Sequence, residues 1–266
     1  MQLSPLSARS LVASILLGSD PPTLSGRSLV ALGERFGYNG GTIRVALTRM
    51  AEKGELTNTD GDYSIAGPLL ARRERQGLGR RPRTIDWDGA WEQAIVVPGH
   101  LREASATSGA QVRRDLAALN LGEVRAGVWM RPANLDPNRL PSTREAVAPH
   151  VWNLSVATIP TSAAVALTAI AFDLTTWATE AELLLKAIEN SHQQLEADSL
   201  QPRTPGSVLT DAFNLASASV RHLLYDPQIP AELAPPQWPA DRLRQTYRSF
   251  EHQLRLALRL VFADLD

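Results

Sequence analysis

Asn39-Gly-Gly-Thr-Ile-Arg-Val-Ala-Leu-Thr-Arg-Met-Ala-Glu-Lys53 is the stretch on which the fold of this chain turns. Its apolar residues Ile43, Ala46, Leu47 and Met50 recur at i, i+3, i+4 and i+7, the spacing that lines one face of an α-helix. Thr42, Arg44, Val45, Thr48 and Arg49 then fall on the opposite face, with Lys53 at the helix end. Such side chains suit a DNA groove. Arginine donates twice to guanine, threonine meets a base or a phosphate, and valine touches a thymine methyl. Thr42, Arg44, Val45, Thr48, Arg49 and Lys53 are therefore the predicted DNA-binding residues.

Working outward, Ser28 to Phe36 places Leu29, Leu32 and Phe36 on one helical face, and Gly37-Tyr-Asn-Gly-Gly41 interrupts it. Further upstream, the apolar run Leu11 to Leu17 is too short to span a bilayer and no cleavage site follows it. It reads as a first helix. Downstream, Gly54 to Ile65 holds two short β-like pieces around Asp60-Gly61, a tight-turn pair. Helix, helix, turn, helix and hairpin in that order predict a winged helix-turn-helix over residues 1–70.

The next stretch, Ala71 to Arg83, contains Arg72, Arg73, Arg75, Arg80, Arg81 and Arg83, with two glycines and a proline that limit regular structure in its second half. It reads as an Arg-rich linker over 71–85, whose arginines are candidate phosphate contacts. Beyond it, Trp91 to Val97, Gly127 to Arg131 and Val151 to Thr158 read as strands, and Gln111 to Leu119 as an intervening helix. An α+β layer over residues 86–171 is expected. Asp173 is placed to cap a long helix running to about Leu195, and two more helices, about Gly206 to Leu224 and Asp241 to Phe262, complete a helical part over 172–266.

Charge divides with the segments. Residues 1–83 carry 12 Arg or Lys against 7 Asp or Glu, a balance of +5, and the remainder carries 15 against 21, a balance of −6. A front-loaded positive charge fits one part that meets phosphates and another that does not. There is no cysteine, so disulfides, thiolate metal sites and thiol nucleophiles are excluded together, as suits a cytoplasmic protein.

These residues also carry a family resemblance. Thr42 to Met50 with Lys53-Gly54, Trp87-Asp-Gly-Ala-Trp91, Leu116 to Gly122, Gly127 to Pro132, Phe172 to Trp177, and above all the proline- and tryptophan-rich stretch Leu223 to Pro239 resemble the PaaX-type regulators, named for the repressor of phenylacetate catabolism. The resemblance implies an N-terminal winged helix, a central ferredoxin-like α/β domain and a helical C-terminal domain. It also implies a homodimer that binds a double-stranded DNA operator, represses an aromatic-acid catabolic operon, and is released by an acyl-CoA effector such as phenylacetyl-CoA. No effector-binding residue is assigned by it, and no cofactor is expected beyond that possible acyl-CoA. The hairpin departs from the family: Asp60 and Asp62 stand where basic residues are usual.

Enzyme chemistry has no sequence support. The five histidines, His100, His150, His192, His222 and His252, show no metal-ligand spacing, and phosphate-loop, dinucleotide and nucleophile-elbow motifs are absent. Asp86 and Asp88 are the one acidic pair beside the first strand of the central segment, and a metal-dependent nuclease built on them is the enzyme alternative. Trp87, Trp91 and Trp129 read as packing residues. The chain is thus read as a regulator rather than an enzyme, with no membrane partner. Its rival is an interaction or ligand-sensing module without DNA binding.

Overall fold

The computed structural model describes residues 6–97, 106–156, 158–199 and 206–263. Helices predominate, and two small antiparallel sheets make the protein α+β. Contacts gather the chain into two units that each draw on separated segments. One comprises Met1–Gln76, Glu182–Arg221 and Arg242–Asp266, the other Gly77–Ala181 and His222–Asp241.

In the first unit, short polar side chains start the helices by accepting from otherwise unpaired backbone N–H groups. The Ser7 hydroxyl accepts from Ser10 N at the head of α1 (Ala8–Gly18), and that of Ser25 from Ser28 N at the head of α2 (Gly26–Arg35). Asn39 Oδ1 accepts from Gly41 N at 2.8 Å to open α3 (Gly40–Glu52). Between α1 and α2 lies β1 (Thr23–Ser25), and after α3 the strands β2 (Leu56–Thr59) and β3 (Asp62–Ile65) form a hairpin; β1 pairs with β3, giving the order β1-β3-β2. Asp60 and Gly61 have φ of 52° and 91°, the left-handed pair that a two-residue type I′ turn requires, and Asn58 Oδ1 accepts from Gly61 N at 3.1 Å.

Leu11, Leu16, Leu29, Leu32, Ile43, Leu47 and Met50 are fully buried and join the three helices into one core. Gly33 permits the close approach of α2 to α3, because a Cβ there would run into the Ile43 side chain. Arg9 on α1 clamps the far end of α3 by donating from Nε and Nη2 to the nearly buried Glu55 carboxylate at 2.9 and 2.6 Å. Those hydrogen bonds hold the Glu55 carboxyl below the ordinary glutamate range, against the opposing effect of burial. The same unit includes parts of α8 (Leu174–Ser199), α9 (Gly206–Leu224) and α10 (Ala240–Ala263). Phe36 at the end of α2 meets Phe213 of α9 with ring centroids 5.0 Å apart. Along α10, Leu243, Tyr247, Phe250 and Leu254 form the buried stripe.

The Arg-rich stretch is a helix, not an irregular connector: α4 runs Pro68–Arg80 through both glycines. Tertiary packing outweighs their weak helix propensity. Leu69 and Gln76 are buried along it, and Gly79 lies so near the Leu223 carbonyl that a Cβ would be 2.9 Å from that oxygen.

The second unit follows the order β4 (Trp91–Val96), α5 (Ala106–Ala118), β5 (Gly122–Arg125), β6 (Val128–Pro132), α6 (Pro141–Val147), β7 (Val151–Val156). The sheet order is β5-β6-β4-β7 with every neighbour antiparallel. The three strands expected from sequence are present, and β5 is added as the partner of β6. On one sheet face Ala94, Val96 and Trp129 pack with Val112 and Leu116 of α5; on the other Trp91 and Met130 pack with Ala164 of α7 (Thr161–Ala171). Gly122 abuts the Ala171 carbonyl closely enough to leave no space for a Cβ.

Two polar features hold the proline- and tryptophan-rich stretch within this unit. Asn120 Nδ2 donates to Asp226 O at 2.7 Å, and Asn134 Nδ2 to Gln228 O at 3.0 Å. Arg131, fully buried, donates from Nη2 to Asn134 Oδ1 at 2.7 Å and from Nε to Pro132 O. Burial, reinforced by the neighbouring Arg139 cation, pulls the Arg131 guanidinium down to about 9. Trp177 stacks between Trp238 (4.8 Å) and His222 (4.5 Å), and burial lowers the His222 pKa.

Replacing Gly122 with alanine should destabilise the protein by about 1–3 kcal/mol in chemical denaturation, since a carbonyl oxygen cannot rotate aside as a side chain can. Glu55→Gln should cost about 1 kcal/mol at neutral pH, the value being limited by the half-exposed Arg9. Because the folded-state pKa of Glu55 is depressed, its contribution is complete above the ordinary value of about 4.3 and is lost as pH falls through the folded value. The stability difference between wild type and Glu55→Gln should therefore close on acidification.

Candidate nucleic-acid interface

α3 separates its residues as the periodicity requires. Ile43, Ala46, Leu47 and Met50 are buried, and Thr42, Arg44, Val45, Thr48, Arg49 and Lys53 are exposed, Val45 to 51%. An exposed β-branched apolar residue flanked by two arginines has no packing role here. Thr48 Oγ1 donates back to Arg44 O at 3.1 Å, so its hydroxyl is engaged along the helix. The Arg44 and Arg49 guanidiniums have no ion-pair or hydrogen-bond partner among the described residues. The first turn of α3 contains no acidic residue, leaving its positive dipole end uncompensated by its own sequence.

Two further cations, Arg27 and Arg35 of α2, are exposed. They were legible only by elimination, as the positions that the Leu29, Leu32 and Phe36 face leaves outside. The hairpin after α3 has the opposite character, with Asp60 and Asp62 both exposed at its turn.

The six linker arginines do not act as one group. Arg81 and Arg83 are exposed, whereas Arg72, Arg73, Arg75 and Arg80 are half-buried on α4. Arg73 pairs with Asp20 at 3.5 Å, and Arg72 and Arg80 are engaged within the chain.

Of the acidic pair beside the first strand of the central segment, Asp88 makes a turn contact. Asp88 Oδ1 accepts from Ala90 N at 2.9 Å and Trp87 Nε1 donates to Ala90 O at 2.7 Å, closing the turn at Gly89, while Asp86 is exposed. Trp91 and Trp129 are buried in the second unit. No group of three or more His, Asp or Glu among the described residues is arranged to hold a metal ion. His100 lies outside the described residues. Among those described, no single helix is long and apolar enough to cross a membrane.

Residues 7–67 match the family described as PaaX-like protein, and residues 172–262 match the PaaX-like protein C-terminal domain. A solved structure, that of the uncharacterized protein Rv0674 from Mycobacterium tuberculosis, is 35% identical. The alignment covers 94% of this chain and 96% of that one, with a TM-score of 0.67. No curated protein matches the chain. Two family segments in the expected order and a solved relative aligned over nearly the whole length place this chain in the PaaX-like family.

Proposed function

We propose that this protein is a DNA-binding transcriptional regulator whose N-terminal unit works as a winged helix, with α3 in the major groove. The observation that carries this reading is the division of α3 between a buried apolar face and an exposed face bearing Arg44, Val45, Thr48 and Arg49. Helices α1, α2 and α3, with a strand between the first two and a hairpin after the third, form the element order of that module. We likewise read the β-α-β-β-α-β order and the antiparallel β5-β6-β4-β7 sheet as a ferredoxin-like domain. Two protomers would place α3 in successive major grooves of a pseudo-palindromic operator, repressing by occlusion in the cytoplasm. An acyl-CoA effector would release the DNA if it prefers a dimer geometry that no longer fits the half-site spacing.

Direct readout assigns base contacts to Arg44, Val45, Thr48 and Arg49, with Thr42 and Lys53 at the helix ends serving phosphates or bases. Thr48, its hydroxyl engaged with Arg44 O, offers its methyl group more readily than a donor. Among the linker arginines, Arg81 and Arg83 are the exposed candidates for phosphate contact. The second reading, an interaction module without DNA binding, draws on the acidic hairpin turn.

Fluorescence-anisotropy titration against the DNA upstream of the protein's own gene, with and without phenylacetyl-CoA, tests the function. Saturable binding that outcompetes random DNA supports it, and equal affinity for both sequences removes it. In that assay Arg49→Ala should cost about 1–3 kcal/mol of specific binding and relax preference at one base position. Arg81→Gln with Arg83→Gln should weaken binding to all sequences and flatten the salt dependence by about two in log–log slope; an unchanged slope would confine both residues to a structural role.

A further inference from the structure

The hairpin beside α3 carries charge of the wrong sign for the surface that its neighbour would meet. From Gly54 to Ala71 the sequence contains no Lys or Arg. Its acidic residues there are Glu55, which is paired with Arg9, and the exposed Asp60 and Asp62. The outward face of α3, in contrast, presents Arg44 and Arg49, with the exposed Glu52 in its last turn and Lys53 at its C-cap. A cationic helix face and an anionic turn thus occur within one unit, joined through the left-handed Gly54 that follows α3.

The turn is held in place. Gly26 N donates to Gly61 O at 2.8 Å, the register pairs Ser25 with Asp62 and Thr59 with Asp62, and Asn58 Oδ1 accepts from Gly61 N. The turn backbone is bound from both sides, so the two short aspartate side chains stay close to the hairpin turn. Carboxylates near a DNA backbone raise the energy of the complex, and the effect persists over a Debye length of about 10 Å at 0.1 M salt.

We propose that Asp60 and Asp62 form an electrostatic brake: they repel the phosphate backbone beside the α3 site, lowering affinity for DNA of any sequence. This inference rests on α3 being the DNA-reading helix. Repulsion of this kind acts on the sequence-independent phosphate contribution, so it lowers overall affinity and leaves discrimination between sequences to base contacts.

Asp60→Asn with Asp62→Asn removes both charges without changing side-chain shape, and asparagine tolerates the positive φ at position 60. Anisotropy titrations of a random-sequence duplex and of the upstream DNA should show both dissociation constants falling about threefold to thirtyfold at 0.1 M salt. Asp62→Lys, where φ is not positive, should add a phosphate contact and steepen the log–log salt slope by about one. Unchanged affinity and slope in both variants would overturn the brake, as would weaker binding in the asparagine variant confined to sites with one particular base, the mark of an aspartate accepting from cytosine. Wild-type binding in the same titration separates the two claims. If wild type outcompetes random DNA and the variants behave like it, the brake alone fails; if neither wild type nor the lysine variant binds at low salt, the DNA-binding reading fails and the brake falls with it.

Discussion

Ile43, Leu47 and Met50 packed beneath α3 are the contact on which the rest of the N-terminal unit depends. Leu11, Leu16, Leu29 and Leu32 complete that core from the two preceding helices, and none of the seven is more than 2% exposed. Burying side chains of this size stabilises by roughly 1.5–3 kcal/mol each, far more than any exposed charge nearby can contribute. The helix therefore cannot rotate to relieve its cationic face. Arg44, Val45 and Arg49 stay outward because turning them inward would expose this core. Gly33 and the Arg9–Glu55 clamp fix the remaining freedom, the first by letting α2 come close and the second by tying α1 to the end of α3.

Much of this was legible in the sequence because it is local. The i, i+3, i+4, i+7 pattern separates buried Ile43, Ala46, Leu47 and Met50 from exposed Thr42, Arg44, Val45, Thr48 and Arg49, Asp60-Gly61 forms the turn its composition demands, and Asp173 caps α8 by accepting from Thr176 N at 3.1 Å. What escaped depends on partners distant in the chain. α4 is helical although Gly77 and Gly79 oppose it, because its buried face and the Leu223 backbone supply what propensity lacks. The linker arginines divide into engaged and exposed members for the same reason. Strand β5 is short and partly polar, so only its pairing with β6 identifies it. Nothing in the periodicity of residues 223–239 indicates that Trp238 stacks on Trp177 or that Asp226 and Gln228 offer carbonyls to Asn120 and Asn134.

The buried polar groups of the second unit have a different character from the α3 surface. Arg131 is placed among fixed acceptors in a protein interior, where an unpaired charge is expensive and its pKa falls accordingly. Asn120 and Asn134 tie this network to the Leu223 to Pro239 stretch through the Asp226 and Gln228 carbonyls. The proline- and tryptophan-rich stretch that carries the strongest family resemblance is therefore structural in this unit. The exposed α3 face, where packing imposes no choice of residue, is where a DNA-reading function would be written.

Because the natural chain has no cysteine, Val45→Cys creates a single thiol on the outward face of α3. Coupling that thiol to a short photoreactive crosslinker and mapping adducts on the upstream duplex tests most directly whether this face touches DNA bases. The account predicts adducts on major-groove base atoms, at two positions about one helical turn apart if two protomers bind. A complex that forms with full affinity and yields no base adducts from position 45 would contradict it.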